Sequence, residues 1–92
     1  MLVLGRARRD LARLEEFLAR KSPGAANRAA ATISDAVLSL AELAERGHLD
    51  PEGRFREIAV RFGRDGYVIQ YAIEPQRVLV ARIFHALEDR AP

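Results

Sequence analysis

The sequence predicts an α+β fold in the order β-α-α-β-β-β, with a helical hairpin packed on one face of an antiparallel sheet. Three observations support this prediction. Residues 55–85 alternate apolar and polar side chains between short turns, which is typical of consecutive strands. Residues 6–46 carry apolar side chains at helical spacing, interrupted once by Pro23. Met1–Leu4 is apolar and can add one short edge strand before Gly5.

Three strands are predicted in the second half of the chain. Apolar residues recur at every second position in the first two, and the third is apolar on both faces, as expected inside a sheet. The supporting residues are Ile58, Val60 and Phe62, then Tyr67, Ile69, Tyr71 and Ile73, then Val78, Leu79, Val80 and Ala81. The turn signals at 63–66 and 74–76 are so short that neighbouring strands must run antiparallel.

Two helices are predicted between the first strand and these three. The first runs from Arg6 to Arg20. The second begins with Ser22 as N-cap and Pro23 at its first position, and it is expected to continue through Arg46 until Gly47 stops it. The apolar stripes are Ala7, Leu11, Leu14 and Leu18, then Ala26, Ala29, Ala30, Ile33, Val37, Leu40 and Ala44. The remaining segments are a loop at 48–53 and a short C-terminal turn at 86–90.

The composition is that of a small globular protein. The 92 residues are expected to form one domain, residues 1–92. No apolar run is long enough to span a membrane, and the lack of cysteine excludes disulfides and thiolate metal sites, so a cytoplasmic location is expected. The net charge is +2, and 14 of the 15 basic residues are arginines. Arginine suits phosphate and carboxylate partners, although codon usage explains its abundance more simply.

The sheet face turned away from the helices must be solvated, functional or covered by a partner. Arginines are expected on this face or around its rim: Arg54, Arg56, Arg61, Arg77 and Arg82. Strand alternation predicts that Arg56 lies on the same face of the sheet as Ile58, and Arg82 on the same face as Val80. Arg61 is predicted on the face opposite Arg56. Alternation alone leaves open which side faces the helices.

Few residues suggest catalysis. Acid–base cleavage of RNA needs a base, an acid and a cation, which His85, Glu57 and an arginine could supply, but a lone histidine is more often structural. Tyr67 and Tyr71 share a strand face and could stack on bases, although such a pair more often packs across strands. No serine triad, phosphate loop or histidine pair with metal spacing is present, so no cofactor and no metal is expected.

Five short motifs in order resemble the RelE/ParE superfamily of bacterial toxins from type II toxin–antitoxin systems, and the ParE branch most closely. They are Ala7-Arg8-Arg9-Asp10-Leu11, Ser22-Pro23-Gly24-Ala25-Ala26, Arg56-Glu57-Ile58, Gly66-Tyr67-Val68-Ile69-Gln70-Tyr71 and Val78-Leu79-Val80-Ala81-Arg82-Ile83-Phe84-His85. The loop before the sheet departs from the pattern, because it keeps only Pro51, Gly53 and Arg54 of the usual P-x-x-G-R. The resemblance implies the same β-α-α-β-β-β order and a cognate antitoxin, ParD-like or RelB-like, with which the toxin forms a hetero-oligomer.

The resemblance also implies growth arrest and plasmid stabilisation by one of two targets. ParE-branch members poison DNA gyrase, whereas RelE-branch members cut mRNA on the ribosome. A ribonuclease would use Arg61 and His85 as catalytic residues. RelE-type enzymes carry a cluster of basic and tyrosine residues toward the C-terminal end. In this chain the sheet has no lysine, and neither tyrosine nor a second arginine follows His85 directly. The resemblance therefore favours the gyrase-directed branch over a ribonuclease. The candidate target-binding residues are Arg56, Arg61, Tyr67, Arg82 and His85. A third possibility is a toxin-derived module that has lost its activity and binds only its partner.

Overall fold

The computed structural model describes residues 1–88 and confirms an α+β fold with two helices on a mostly antiparallel sheet. The helices are α1 (Gly5–Ala19) and α2 (Pro23–Ser39), followed by a short 3-10 turn (Ala44–Arg46). The strands are β1 (Leu2–Val3), β2 (His48–Leu49), β3 (Arg56–Val60), β4 (Tyr67–Glu74) and β5 (Arg77–His85). No helix of the described residues is long and apolar enough to cross a membrane.

The sheet has the strand order β1-β5-β4-β3-β2, one strand more than the sequence predicts. The additional strand is β2, which lies in the predicted loop and pairs antiparallel with β3 through only two residues. The predicted edge strand β1 is present and pairs parallel with β5. Strand β5 therefore lies inside the sheet, as its apolar character on both faces predicts.

The helices cover one face of the sheet, and a single core lies between the two layers. On β4 the buried residues are Tyr67, Ile69 and Tyr71, so the odd-numbered side chains face the helices. From α1 the core receives Ala7 and Leu14, with Leu11 and Leu18 partly buried beside them, and from α2 it receives Ala29 and Ile33. The predicted helical stripes are thus confirmed as the core-facing sides.

A bulge in β5 changes the direction of its side chains. Tyr71 pairs with Val80 and Gln70 pairs with Arg82, so Ala81 is an extra residue in the ladder. Because cross-strand partners share a face, Val80 lies on the helix side and Arg82 on the open side. The prediction that Arg82 points with Val80 is therefore wrong.

The helix α2 starts as predicted but ends earlier. The Ser22 hydroxyl accepts a hydrogen bond from the Ala25 amide at 3.2 Å, and Pro23 follows it. The helix ends at Ser39 instead of Arg46, since the amides of Leu40 and Ala41 bond to carbonyls three residues back. The Ser39 hydroxyl donates to the Ala36 carbonyl at 2.6 Å, a local bond that competes with helix continuation.

Gly47 does not end α2 but directly follows the 3-10 turn, and its φ of −76° is open to any residue. It is required for a close approach instead. The buried Tyr71 hydroxyl accepts from the Gly47 amide at 3.0 Å and donates to the Ala44 carbonyl at 2.6 Å. A Cβ on Gly47 would lie 2.4 Å from the Tyr71 oxygen and 2.9 Å from the Glu57 carbonyl oxygen. The two hydrogen bonds of Tyr71 therefore fix the segment that connects the 3-10 turn to β2.

The predicted C-terminal turn is present in part. Ala86 and Leu87 form a turn, and the Ala86 amide donates to the Gly66 carbonyl at 3.0 Å. The rest of the segment predicted at 86–90 extends beyond the described residues.

We expect Gly47→Ala to destabilise the fold, because the new methyl group forces Tyr71 or the backbone at Glu57 to move. The expected loss in free energy of unfolding is about 1–3 kcal/mol, as for other overpacked sites. Urea denaturation measures this loss.

Gly24→Ala is the matched control for this substitution. Its Cβ meets only the mobile guanidinium of Arg28, at 3.3 Å, and alanine favours a helix, so its unfolding free energy should not fall. Equal stability of the two variants would contradict the proposed role of Gly47.

Candidate functional site

Arg82, a candidate target-binding residue, is held by an ion pair within the protein. Its Nε lies 2.7 Å from Asp10 Oδ2 and its Nη2 lies 3.0 Å from Asp10 Oδ1, which is a bidentate arrangement. The guanidinium also lies over the Phe84 ring, 4.6 Å from its centroid. Asp10 is buried and accepts a third hydrogen bond, from the Ile83 amide at 2.9 Å. The charge of Arg82 is therefore largely satisfied by α1.

The pKa of Asp10 lies below its ordinary value of 3.8. Burial alone would raise this pKa, but the hydrogen bonds from Arg82 and Ile83 and the positive charges of Arg82 and Arg13 outweigh it. The hydrogen bond from Arg82 to Asp10 in turn raises the pKa of Arg82. Both groups are charged at neutral pH, so the pair persists under physiological conditions.

Arg56 is also engaged by its own chain. Its Nη1 donates to the Glu45 carbonyl at 3.1 Å and to the Gly47 carbonyl at 2.9 Å. These contacts hold the 3-10 turn against the start of β3 on the helix side of the sheet. Arg56 is therefore positioned as a support for this turn.

A groove opens between α1 and the hairpin that joins β3 to β4. It has a volume of about 560 Å³ and a mainly apolar wall. The lining residues are Arg13, Leu14, Phe17, Leu18, Phe62, Gly63, Arg64, Asp65, Gly66, Tyr67, His85 and Glu88. Of the five candidate residues, the groove brings together Tyr67 and His85 and leaves Arg56, Arg61 and Arg82 outside.

Tyr67 and His85 form part of an aromatic wall in this groove. The Tyr67 ring lies 5.9 Å from the His85 ring in an edge-on arrangement, and 5.9 Å from the Phe62 ring. Tyr67 is only 4% exposed, so its ring offers little surface for stacking on a base, and burial raises its pKa. The Leu87 amide donates to His85 Nδ1 at 3.2 Å, so in the neutral ring the proton lies on Nε2.

One wall of the groove is closed by an ion pair. Arg13 Nη1 and Nη2 each lie 3.1 Å from an oxygen of Glu88, and Glu88 also accepts from the His85 amide at 3.3 Å. These bonds fasten the turn after β5 to α1. Arg13 therefore has its charge balanced, although it lines the groove.

The tip of the β3–β4 hairpin carries two further arginines. Arg61 and Arg64 are exposed, and neither has a hydrogen bond or ion pair within residues 1–88. Gly63 and Gly66 have φ values of 58° and 82°, and a Cβ on Gly66 would lie 2.3 Å from the Val60 carbonyl oxygen. The tip is thus a tight turn in which two positions take the left-handed conformation that glycine adopts without strain. Arg61 lies next to the groove's aromatic wall in sequence but does not line the groove.

Residues 1–88 contain no group of three or more histidine, aspartate or glutamate side chains that could hold a metal ion. The groove offers side chains for binding, namely aromatic and aliphatic surfaces with Arg64 and Asp65 at its rim.

Residues 2–90 match the family described as ParE toxin of type II toxin-antitoxin system, parDE. The chain belongs to this family of toxins. Three toxins of Caulobacter vibrioides are similar to it over most of their length. Toxin RelE3 is 42% identical over 92% of this chain and 91% of its own. Toxin RelE1 is 41% identical over 98% of this chain and 96% of its own, and Toxin RelE2 is 38% identical over 88% of each.

Membership of a type II toxin–antitoxin family implies a cognate antitoxin as partner of this toxin. The family description names ParE and the Caulobacter toxins are named RelE, so both branches appear among its relatives. The predicted superfamily and the toxin role are confirmed. The names of the relatives do not distinguish between gyrase and the ribosome as the target.

Several groove residues of the toxin were not singled out from the sequence. Arg13 and Glu88 are 75 residues apart, and nothing in either segment indicates that they meet. Arg64 lies in the turn predicted at 63–66 and Phe17 lies in the first predicted helix, and neither is a candidate site residue from the sequence. Phe17 is 57% exposed, which is unusual for a ring on the apolar side of a helix and could be found only from the structure.

We expect Asp10→Asn to destabilise the toxin by about 2–3 kcal/mol at neutral pH, because it leaves the half-buried Arg82 without its counter-charge. Since folding lowers the pKa of Asp10, its stabilising effect is complete above the ordinary value of 3.8 and is lost as the pH falls through the lower folded-state value. The difference between wild type and variant should therefore shrink below about pH 4.

Denaturant unfolding between neutral and acidic pH measures this difference. Glu16→Gln is the control, because Glu16 forms an exposed ion pair with Arg20 and its loss should cost less than about 0.5 kcal/mol at any pH. A pH-independent effect of Asp10→Asn would show that shape, and not charge, accounts for the contribution of Asp10.

Proposed function

We propose that this toxin acts by binding DNA gyrase, in the manner implied by its ParE-like sequence, and that its cognate antitoxin neutralises it. The single observation that carries the proposal is the distribution of the arginines in the sheet half of the chain. Arg56 and Arg82 have partners within the chain, whereas Arg61 and Arg64 stand exposed and unpaired on one hairpin tip. Two unpaired arginines on one tight turn are suited to contact a macromolecular surface.

The base of the hairpin is anchored to the turn after β5. The Ala86 amide donates to the Gly66 carbonyl at 3.0 Å, and Gly66 is buried, whereas Arg61 and Arg64 are exposed. The two arginines therefore project into solvent from a turn that is fixed at its base. Phe62 lies half-buried between the two arginines in sequence and could supply an apolar contact beside them.

The arrangement around His85 supports binding over cleavage. General acid–base cleavage of RNA requires a base, an acid and a cation around one phosphate. Arg61 lies outside the groove that His85 lines, and Arg13 is occupied by Glu88. A nuclease built on His85 and Arg61 would first have to bring these two residues together.

The alternative is a ribosome-dependent mRNA endonuclease. Two observations favour it: three relatives are named RelE toxins, and His85 lines a groove together with the unpaired Arg64. In this case His85 would act on the mRNA, and its replacement would abolish cleavage while leaving the fold intact.

We expect the purified toxin to inhibit supercoiling by gyrase and to increase the amount of cleaved DNA. Arg61→Ala and Arg64→Ala should each raise the concentration for half-inhibition about tenfold, the effect of losing roughly 1.4 kcal/mol of binding. Arg28→Ala is the matched control, because Arg28 is an exposed arginine on α2, away from the tip, and its loss should have no effect.

The same preparation should be added to a translation extract. Unchanged supercoiling at saturating toxin would contradict the gyrase proposal, and mRNA cleavage that is lost in His85→Ala would support the nuclease. Normal growth of cells that express the toxin without antitoxin would favour an inactive binding module.

A further inference from the structure

The groove between α1 and the β3–β4 hairpin offers an apolar surface to a partner. Leu14 and Tyr67 line it and are buried, whereas Phe17 contributes an exposed ring from α1 and Phe62 a half-buried ring from the hairpin. Its volume of about 560 Å³ lies within the range of roughly 300–1,000 Å³ that is typical of binding pockets. The groove is therefore large enough to receive an aromatic or branched aliphatic side chain.

Phe17 combines an apolar surface with a neighbouring positive charge. It is the only phenylalanine or tyrosine of residues 1–88 that is mostly exposed, at 57%. The Nζ of Lys21 lies 4.6 Å from the centroid of its ring. A partner side chain that packs on Phe17 therefore removes apolar surface from water beside a cation.

Both walls of the groove carry an excess of positive charge. Residues 5–21, which include α1, contain six basic and three acidic side chains, and residues 61–66 of the hairpin contain two basic and one acidic. The rest of the sequence contains seven basic and nine acidic side chains. Lys21 and Arg64 form no ion pair within residues 1–88. The complementary partner is therefore acidic around an apolar centre.

A nucleic acid is also acidic, but it fits the groove less well than a protein segment. A base has polar edges that need hydrogen-bond partners when they are buried, and the wall of the groove is mainly apolar. Two of the polar groups that line the groove are already engaged, since His85 Nδ1 accepts from the Leu87 amide and Arg13 is bound by Glu88. A phenylalanine or leucine side chain has no polar edge to satisfy.

A second copy of the toxin fits the groove poorly as well. If Phe17 of one copy entered the groove of another, the basic α1 of the first would lie against the basic walls of the second. Like charges brought together in this way oppose association. The charge of the groove therefore favours a different protein.

We propose that the groove receives a large apolar side chain from a segment of gyrase in which carboxylates flank that residue. The side chain packs between Phe17 and Phe62, and the carboxylates pair with Lys21 and Arg64. A buried apolar anchor surrounded by polar contacts is the usual form of a binding hot spot. The inference rests on the proposed binding of gyrase and adds the place and the chemistry of the contact, which is with protein and not with DNA.

The affinity of the toxin for purified gyrase without DNA tests this contact. Phe17→Ala should weaken binding about tenfold or more, because it removes one wall of the groove. Leu43→Ala is the matched control, since Leu43 is likewise exposed, at 60%, but does not line the groove, and its loss should leave the affinity unchanged. Both side chains are largely in solvent, so thermal unfolding should show that both variants retain the fold.

A peptide titration tests the groove in the unaltered toxin. The probe is a short peptide in which glutamates flank a phenylalanine, and binding is followed by NMR. The peptide should shift the amide resonances of Leu18 and Arg64, which line the groove. It should bind about tenfold more tightly than a peptide with serine at the centre, and than one with lysines in place of the glutamates. This comparison decides the matter if Phe17→Ala does not fold.

The possible results separate this contact from gyrase binding itself. Equal gyrase affinity of wild type and folded Phe17→Ala, or equal affinity of the three peptides, would overturn the contact and leave gyrase as the target. A wild-type toxin that does not bind gyrase would overturn both.

Three further results would assign the groove to another occupant and overturn the proposal. The first is displacement of the acidic peptide by a single-stranded oligonucleotide, which would indicate a nucleic acid. The second is a loss of antitoxin affinity in Phe17→Ala while gyrase affinity is unchanged. The third is a dimer of the free toxin that Phe17→Ala dissociates, which would indicate a second copy.

Discussion

The carboxylate of Asp10 is the constraint on which the arrangement of this toxin depends. The strand β1 pairs with β5 at Leu79 and Val80 only. Farther along the same edge of β5, the Ile83 amide donates to the carboxylate of Asp10. Asp10 supplies this hydrogen-bond partner from α1, and Arg82 balances its charge. One side chain thus continues the edge of the sheet, fixes α1 against β5 and explains why a carboxylate is tolerated in the interior.

This internal pairing decides which arginines remain for a partner. Arginine is abundant in the sequence, yet Arg82 is used to neutralise Asp10 and Arg56 to hold backbone carbonyls. The number of arginines in the sequence therefore exceeds the number that are free to contact a partner. In the sheet half of the described chain, the exposed arginines without an internal partner are Arg61 and Arg64, and both lie on the hairpin that we propose as the contact surface.

The fold could be predicted because its signals are local. The two-residue period of Tyr67, Ile69 and Tyr71 identifies β4, and Ser22-Pro23 marks the start of α2. The end of α2 is predicted too late, because Gly47 follows the separate 3-10 turn and donates its amide to the distant Tyr71 hydroxyl instead of ending α2. The site was harder to predict for the same reason, since it depends on which distant side chains pair with one another.

The extra residue at Ala81 has a wider effect than a local irregularity. With it, His85 lies opposite Tyr67 and faces the groove. If Ala81 paired with Gln70 and no bulge formed, every later residue would move by one position, so Phe84 would lie opposite Tyr67 and the imidazole would turn to the far side of the sheet. Whether this end of the groove presents an ionisable or a purely hydrocarbon side chain therefore depends on the bulge that holds Ala81 out of the ladder.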